Sequence, residues 1–201
     1  MNSGPQERSR LTHTRLVHAA AEIIDREGYE SATVEAISRR AGVTKGAFYF
    51  HFDSKESVAE AVVIAAGRPA SAIALQALRR GRSPVQAIGD VCKGVATLVA
   101  GDVITRAGLS IARSPLATEA RLSNLCTDLT FAVCRLLTRA WKSGVIAGHR
   151  SISGYGRVTV ALFVGHEQAA RQSDGYGSLP QWIEESWTLL VPALLASQHQ
   201  Q

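Results

Sequence analysis

The segment from Thr33 to Phe52 constrains the fold of this chain more than any other. Thr33 precedes one short amphipathic stretch and Thr44 precedes a second, with Gly42 between them. Threonine is a preferred residue at the start of a helix, and glycine is the residue that most readily ends one in the left-handed conformation. We therefore expect two short helices, residues 34–41 and 45–50, joined by a tight turn, which is the helix-turn-helix arrangement.

The rest of the chain also predicts helices. Before Gly28, apolar residues recur at the spacing of an amphipathic helix from Leu16 to Ile24. After residue 53, apolar stretches of helical period are separated by Gly, Pro and Ser, and none keeps the alternating pattern of a strand. We therefore expect an all-α fold. The helices predicted in this part span residues 54–80 (with a break or kink at 67–69), 84–100, 102–113, 118–143, 151–172 and 179–196.

Composition and charge narrow the class of protein. The 201 residues are 46% hydrophobic and 19% charged, which suits a packed core. No apolar run approaches the ~20 residues of a membrane span and the amino terminus has no signal-peptide pattern, so we expect a cytoplasmic protein without a membrane partner. The formal net charge is +5, but residues 1–60 hold 8 basic and 9 acidic side chains. Nucleic-acid binding by this end must therefore be argued from a motif.

Enzymatic and metal-binding readings find no support in the sequence. The chain has no glycine-rich dinucleotide or phosphate loop and no His-Glu-x-x-His motif, and its six histidines do not cluster. Three scattered cysteines cannot form a disulfide framework. We therefore predict no catalytic residues, no metal and no cofactor.

The second short helix is predicted to present a face that suits DNA. Ile37, Ala41, Val43, Ala47, Phe48 and Phe52 would face inward. Thr44, Lys45, Gly46, Tyr49 and His51 would face outward. The outward set offers hydrogen-bond donors, a cation and an aromatic ring but no carboxylate, as a phosphate-rich groove requires.

A resemblance to a known family supports this interpretation. The DNA-binding signature of TetR-family transcriptional regulators is closely similar to Gly42-Val-Thr-Lys-Gly-Ala-Phe-Tyr-Phe-His-Phe-Asp-Ser-Lys-Glu56, and the similarity covers residues 12–58. The γ-butyrolactone-receptor branch, whose members control antibiotic production and morphology in streptomycetes, is similar in three places. These are Tyr29-Glu-Ser-Ala-Thr33, Lys45-Gly-Ala-Phe-Tyr-Phe-His-Phe52 and Arg106-Ala-Gly-Leu109.

The resemblance implies a repressor that binds a pseudo-palindromic double-stranded operator as a homodimer and is released by a small-molecule inducer. Residues 1–53 would form the helix-turn-helix DNA-binding domain, and residues 54–201 the helical ligand-binding and dimerisation domain. The predicted DNA contacts are Thr33, Thr44, Lys45, Gly46, Tyr49, His51 and Lys55. Lys45 would reach a phosphate or a guanine edge.

The carboxyl-terminal half offers weaker signals. Binding pockets are mostly apolar with a few placed polar groups, and the candidate pocket residues are Thr105, Thr127, Phe131, Trp141 and Phe163. A stripe of small residues and the broad apolar face of the last helix predict the dimer interface. Its candidate residues are Ala161, Gly165, Ala169, Trp187, Leu190 and Leu194.

The sequence leaves the ligand and the target genes open. A γ-butyrolactone, butenolide or furan acting on antibiotic or secondary-metabolite genes is one possibility. A repressor of an efflux or catabolic operon with a different inducer is another. An alternative from a different class is a small helical ligand carrier, which specific, salt-sensitive binding of a palindromic duplex would exclude.

Overall fold

The computed structural model describes residues 4–79, 83–114, 125–146 and 152–196, and within these ranges the regular structure is entirely helical. The helices are α1 (Pro5–Glu27), α2 (Val34–Ala41), α3 (Lys45–His51), α4 (Lys55–Arg79), α5 (Pro84–Gly101), α6 (Val103–Ala112), α7 (Leu125–Lys142), α8 (Ile152–Ser173) and α9 (Leu179–Ala196). The predicted all-α fold is confirmed.

The local signals in the sequence fix the two short helices. Thr33 Oγ1 accepts a hydrogen bond from the Ala36 amide at 3.2 Å, and Thr44 Oγ1 accepts one from the Ala47 amide at 3.1 Å. Gly42 ends α2 with φ +65°, a left-handed conformation that glycine adopts without strain. The helix-turn-helix therefore begins and ends where its capping residues predict.

The sequence predicts a break or a kink at residues 67–69; the break is absent, because α4 continues through Pro69 to Arg79, and the kink stays a prediction. Proline has no amide hydrogen and so removes one hydrogen bond from the helix interior. The residue nevertheless marks a boundary, since the chain divides by its internal contacts into two compact units at this point. The predicted start of the long helix near residue 118 lies outside the described residues.

The first compact unit comprises Met1–Arg68 and Asp102–Leu125. Its core is built from fully buried side chains of α1, α2, α3, α4 and α6, among them Leu16, Ile24, Ile37, Phe48, Val58 and Ile111. Helix α6 packs along α1, and Arg106 Nε donates to Asp25 Oδ2 at 2.8 Å in a half-buried ion pair.

The second compact unit comprises Pro69–Gly101 and Cys126–Gln201. Helix α5 packs closely on α9, where a Cβ added to Gly89 would lie 2.4 Å from the indole nitrogen of Trp187. The proposed boundary between functional domains at residue 53 stays a prediction.

Among the described helices, α4 alone is long and apolar enough by itself to cross a membrane. Length and composition do not distinguish such a segment from a core helix of a soluble protein. In α4 the side chains of Val58, Ala59 and Val62 are fully buried in the core of the first unit. Packing within the fold thus accounts for one apolar face of this helix.

Candidate nucleic-acid interface

Helix α3 is held in place by its aromatic residues. Phe48 is fully buried, and its ring lies 5.8 Å from that of Phe52, which is itself buried. Burial of two phenyl rings contributes several kcal/mol to stability, on the order of 1.5–3 kcal/mol for each ring. The remaining surface of this seven-residue helix is therefore presented in one fixed orientation.

Four residues of α3 share its outward face. At about 100° of rotation per residue, Lys45, Tyr49, Gly46 and Phe50 fall within an arc of about 140°. Tyr49 is 50% exposed and Phe50 is 78% exposed. Phe50 was not among the residues predicted to contact DNA. The rotation of about 100° per residue would have placed it on the outward face from the sequence alone.

His51, predicted to face outward, is half-buried. Its ring centroid lies 6.2 Å from that of His13 on α1 and 5.1 Å from that of Phe50. Burial, followed by the charge of His13, lowers the pKa of His51 below 6.5. The ring therefore braces α3 against α1, and a contact with DNA stays a prediction.

Lys45 is paired with a carboxylate that the sequence did not predict. Its ammonium group forms an ion pair with Glu35 of α2, and both side chains are exposed. The hydrogen bond to Glu35 raises the pKa of Lys45, and the same bond lowers the pKa of Glu35. The outward face of α3 itself carries no carboxylate, but its cation is held by one from the preceding helix.

Thr33 and Thr44 are exposed, and each hydroxyl oxygen accepts a capping hydrogen bond. A hydroxyl that accepts still has its own proton to donate, so capping leaves both groups able to bind a phosphate. Lys55 is engaged within the unit. Its Nζ donates to the carbonyl oxygens of Tyr29 at 3.2 Å and Glu30 at 3.3 Å, and lies 4.3 Å from the Tyr29 ring centroid.

Arg15 also has a structural role that the sequence did not predict. Its guanidinium donates to the carbonyl oxygen of Ala41, the last residue of α2, and approaches Gly42. This hydrogen bond satisfies a carbonyl at the end of the helix, which has no helical partner of its own. The turn between α2 and α3 is thus fixed from α1.

The five candidate pocket residues lie on α6, α7 and α8, and their part in ligand binding stays a prediction. Thr105 lies in the first unit, where its buried hydroxyl donates to Asp102 Oδ2 at 2.5 Å. Thr127, Phe131 and Trp141 have exposed side chains on α7, whereas Phe163 is fully buried on α8. The described residues also contain no group of three His, Cys, Asp or Glu side chains that could hold a metal ion.

A groove of about 480 Å³ runs between α5 and α9, and none of the five candidates lines it. Its walls include an ion pair between Lys93 Nζ and Glu184 Oε2 at 2.5 Å. The lining residues are Gln86, Gly89, Asp90, Lys93, Glu184, Trp187 and Thr188.

The candidate dimer residues divide into two groups. Ala161, Gly165 and Ala169 are exposed on α8, and nothing lies within 4 Å of a Cβ added to Gly165. Trp187 and Leu190, in contrast, are half-buried and line a small cavity inside the second unit. The side chain of Leu194 lies outside the described residues. Leu189, on the same helix, is 79% exposed, and the apolar pattern of the sequence did not single it out.

These features define a helix-turn-helix protein in which α2 and α3 are the two short helices. Residues 16–62 match the family model of bacterial regulatory proteins of the tetR family. The chain is 30% identical to the TetR-family protein CprB from Streptomyces coelicolor, solved in complex with its biological operator sequence. That match covers 91% of this chain and 88% of CprB, with a TM-score of 0.77. The chain belongs to the TetR family.

Within this family the chain is similar to γ-butyrolactone receptors. One such receptor of known structure, an ArpA-like protein, is 28% identical to this chain. The match covers 95% of this chain and 92% of the receptor chain, with a TM-score of 0.82. The A-factor receptor protein of Streptomyces griseus is 28% identical over 94% of this chain. The chain spans 66% of that receptor's length, just under two thirds.

Proposed function

We propose that this protein is a ligand-responsive repressor that binds a pseudo-palindromic operator as a homodimer in the cytoplasm. A small apolar signalling molecule of γ-butyrolactone, butenolide or furan type would release it, and its targets would be antibiotic or secondary-metabolite genes. The observation that carries the proposal is the outward face of α3, with its cation and aromatic groups oriented by a buried core.

One α3 helix of each subunit would enter a major groove, with half-sites roughly 34–36 Å apart. Lys45 would leave Glu35 to contact a guanine edge or a phosphate. The nearest atom to a Cβ added at Gly46 would be Thr44 Oγ1 at 3.9 Å, so the backbone there is uncrowded and would allow close approach to DNA. Phosphate contacts from Thr33, Thr44, Tyr49, His51 and Lys55 would fix the register.

Dimerisation is part of the proposal, because a two-fold operator needs two recognition helices. The exposed small residues of α8 would allow close approach of a second copy. Similarity to γ-butyrolactone receptors supports the ligand class. The ligand must favour the DNA-free shape, and by reciprocity the operator must weaken ligand binding by the same factor.

The test begins with selection of duplexes from a random library by the full-length protein, followed by titration at several salt concentrations. We expect a pseudo-palindrome, with an affinity that falls steeply as salt rises. Lys45→Ala should cost about 1–3 kcal/mol of binding if Lys45 contacts a base. Lys142→Ala, an exposed lysine at the end of α7, is the matched control. Unchanged affinity of a folded Lys45→Ala protein would exclude α3 as the recognition helix.

A synthetic γ-butyrolactone, a butenolide and an alkylfuran carboxylic acid are then titrated into the complex of protein and fluorescent operator. A fall in anisotropy at micromolar concentration is the expected result. Failure of all three at their solubility limits would remove the ligand class from the proposal and leave DNA binding standing.

A further inference from the structure

Phe50 stands out on the recognition helix because it is apolar and almost uncovered. Its side chain is 78% exposed, and the most exposed large apolar residue besides it among those described is Leu189 on α9. A single exposed apolar residue needs no explanation in general. Here the residue lies on the outward arc of the helix that also presents Lys45 and Tyr49.

The surroundings of Phe50 leave its ring open on one side and supported on the other. Gly46 precedes it by one helical turn, so the two share a face. The nearest group to a Cβ at Gly46 would be Thr44 Oγ1, 3.9 Å away. On the other side, the His51 ring meets Phe50 edge to face at 5.1 Å between centroids. The phenyl ring is thus oriented and accessible.

We propose that Phe50 selects thymine by packing its ring on the C5-methyl group in the major groove. This inference rests on the proposed operator binding. Phenylalanine has no donor or acceptor, so contact with phosphate or sugar oxygens would desolvate them without a compensating hydrogen bond. The thymine methyl is the apolar group that base pairs present in the major groove.

The geometry favours the major groove over a wedge in the minor groove. Phe50 shares its arc with Lys45 and Tyr49, so the whole face of α3 must enter together with the ring. A groove about 12 Å wide admits a helix, whereas the minor groove of about 6 Å does not. Phe50 would therefore add base selectivity to the hydrogen bonds of its neighbours.

The test replaces each thymine of the selected operator, one symmetric pair at a time, by deoxyuridine, which removes only the methyl group. At one symmetric pair of positions, replacement of thymine by deoxyuridine should weaken binding by the wild-type protein. The loss should be about four-fold per half-site, the effect expected for one buried methyl-sized group. Phe50→Ala should bind the thymine and uracil duplexes equally. The control is Leu75→Ala, which alters an exposed leucine on α4. This variant should prefer the thymine duplex over the uracil duplex as strongly as the wild type does.

The outcomes separate this inference from the proposed function. Salt-sensitive, sequence-selective binding that is indifferent to every uracil substitution overturns the role of Phe50 and leaves the repressor proposal intact. Equal discrimination by wild type and Phe50→Ala also overturns it, with the methyl then assigned to another residue. If no duplex is selected at all, both proposals fail.

Discussion

At the scale of single residues, Glu35 would compete with DNA for Lys45 in the proposed mode of binding. The ammonium group would have to leave the carboxylate to reach a phosphate or base, and the carboxylate itself would repel the phosphate backbone. Exposed ion pairs are weak, so the competition is modest. The ion pair nevertheless involves Lys45, the residue with the largest predicted role in DNA binding.

We predict that Glu35→Gln tightens operator binding by about two- to five-fold, the range set by the strength of exposed ion pairs. Fluorescence anisotropy at fixed salt measures the change. Glu27→Gln, which removes a carboxylate paired with Arg26 on α1, should have a smaller effect. Weaker binding by the Glu35 variant would show that the carboxylate orients Lys45 instead of restraining it.

His51 should make the folded state sensitive to acid. Its pKa in the folded protein is lowered from 6.5, chiefly by burial. As the pH falls through 6.5, the unfolded chain therefore binds the proton first, and the free energy of unfolding decreases. Replacement by glutamine should flatten the fall of Tm between about pH 7 and pH 5. An unchanged slope would show that other groups carry the acid sensitivity.

At the scale of helices, close packing at glycine fixes how helices approach one another within each unit. In the first unit, a Cβ at Gly108 on α6 would lie 2.6 Å from the Ala66 Cβ on α4. Real Cβ atoms do not approach so closely, so the two helices would have to move apart. Glycine is therefore required here for contact, although a helix interior generally disfavours it.

We predict that Gly108→Ala lowers the free energy of unfolding by about 1–3 kcal/mol through overpacking. Gly101→Ala, at the end of α5 with nothing within 4 Å, should instead be neutral or stabilise by about 0.5 kcal/mol. Urea denaturation of both variants gives the comparison. A loss of similar size in both would point to backbone conformation and not to the contact with Ala66.

The elements were predictable where local signals decide them. Thr33, Gly42 and Thr44 fix the short helices through bonds to near neighbours, which is why those helix ends agree with the sequence. The local signal at Pro69 was misleading, because proline predicts a helix break and α4 continues through it. The site was harder to predict, since Lys45 and Glu35 lie on different helices and Arg15 reaches Ala41 across 26 positions.

His51 was predicted to face outward, whereas the structure exposes Phe50 there. This difference has its own cause. Helix α3 has 7 residues, fewer than the two full turns from which a buried stripe can be recognised. The candidate ligand residues stay predictions for another reason. Pocket lining depends on how long helices pack, and the sequence gives their apolar positions without their neighbours.

At the scale of the whole molecule, assembly is the property on which the proposed function depends most. Substitution of Trp187 would test it poorly, because that ring packs on Gly89 within the subunit. Leu189, at 79% exposure, and Gly165 have no such role in the described fold and are better probes.

We predict that Leu189→Asp and Gly165→Arg give monomers, since each places a charge in a face that a second copy would desolvate. Sedimentation measures the mass, and operator affinity should fall because the second half-site contact is no longer intramolecular. Leu75→Asp, also at an exposed leucine, should remain dimeric. Dimers of normal affinity from both variants would move the interface to another face.

Because α6 packs on α1 and pairs Arg106 with Asp25, the first compact unit is encoded by two separate stretches of the gene. Recombination that exchanges only the first 68 codons would combine α1 of one protein with α6 of another. Asp25 would then face a residue from a different protein at the position of Arg106. Chimeric repressors with new operator specificity should therefore retain activity best when residues 102–114 are transferred together with the amino terminus.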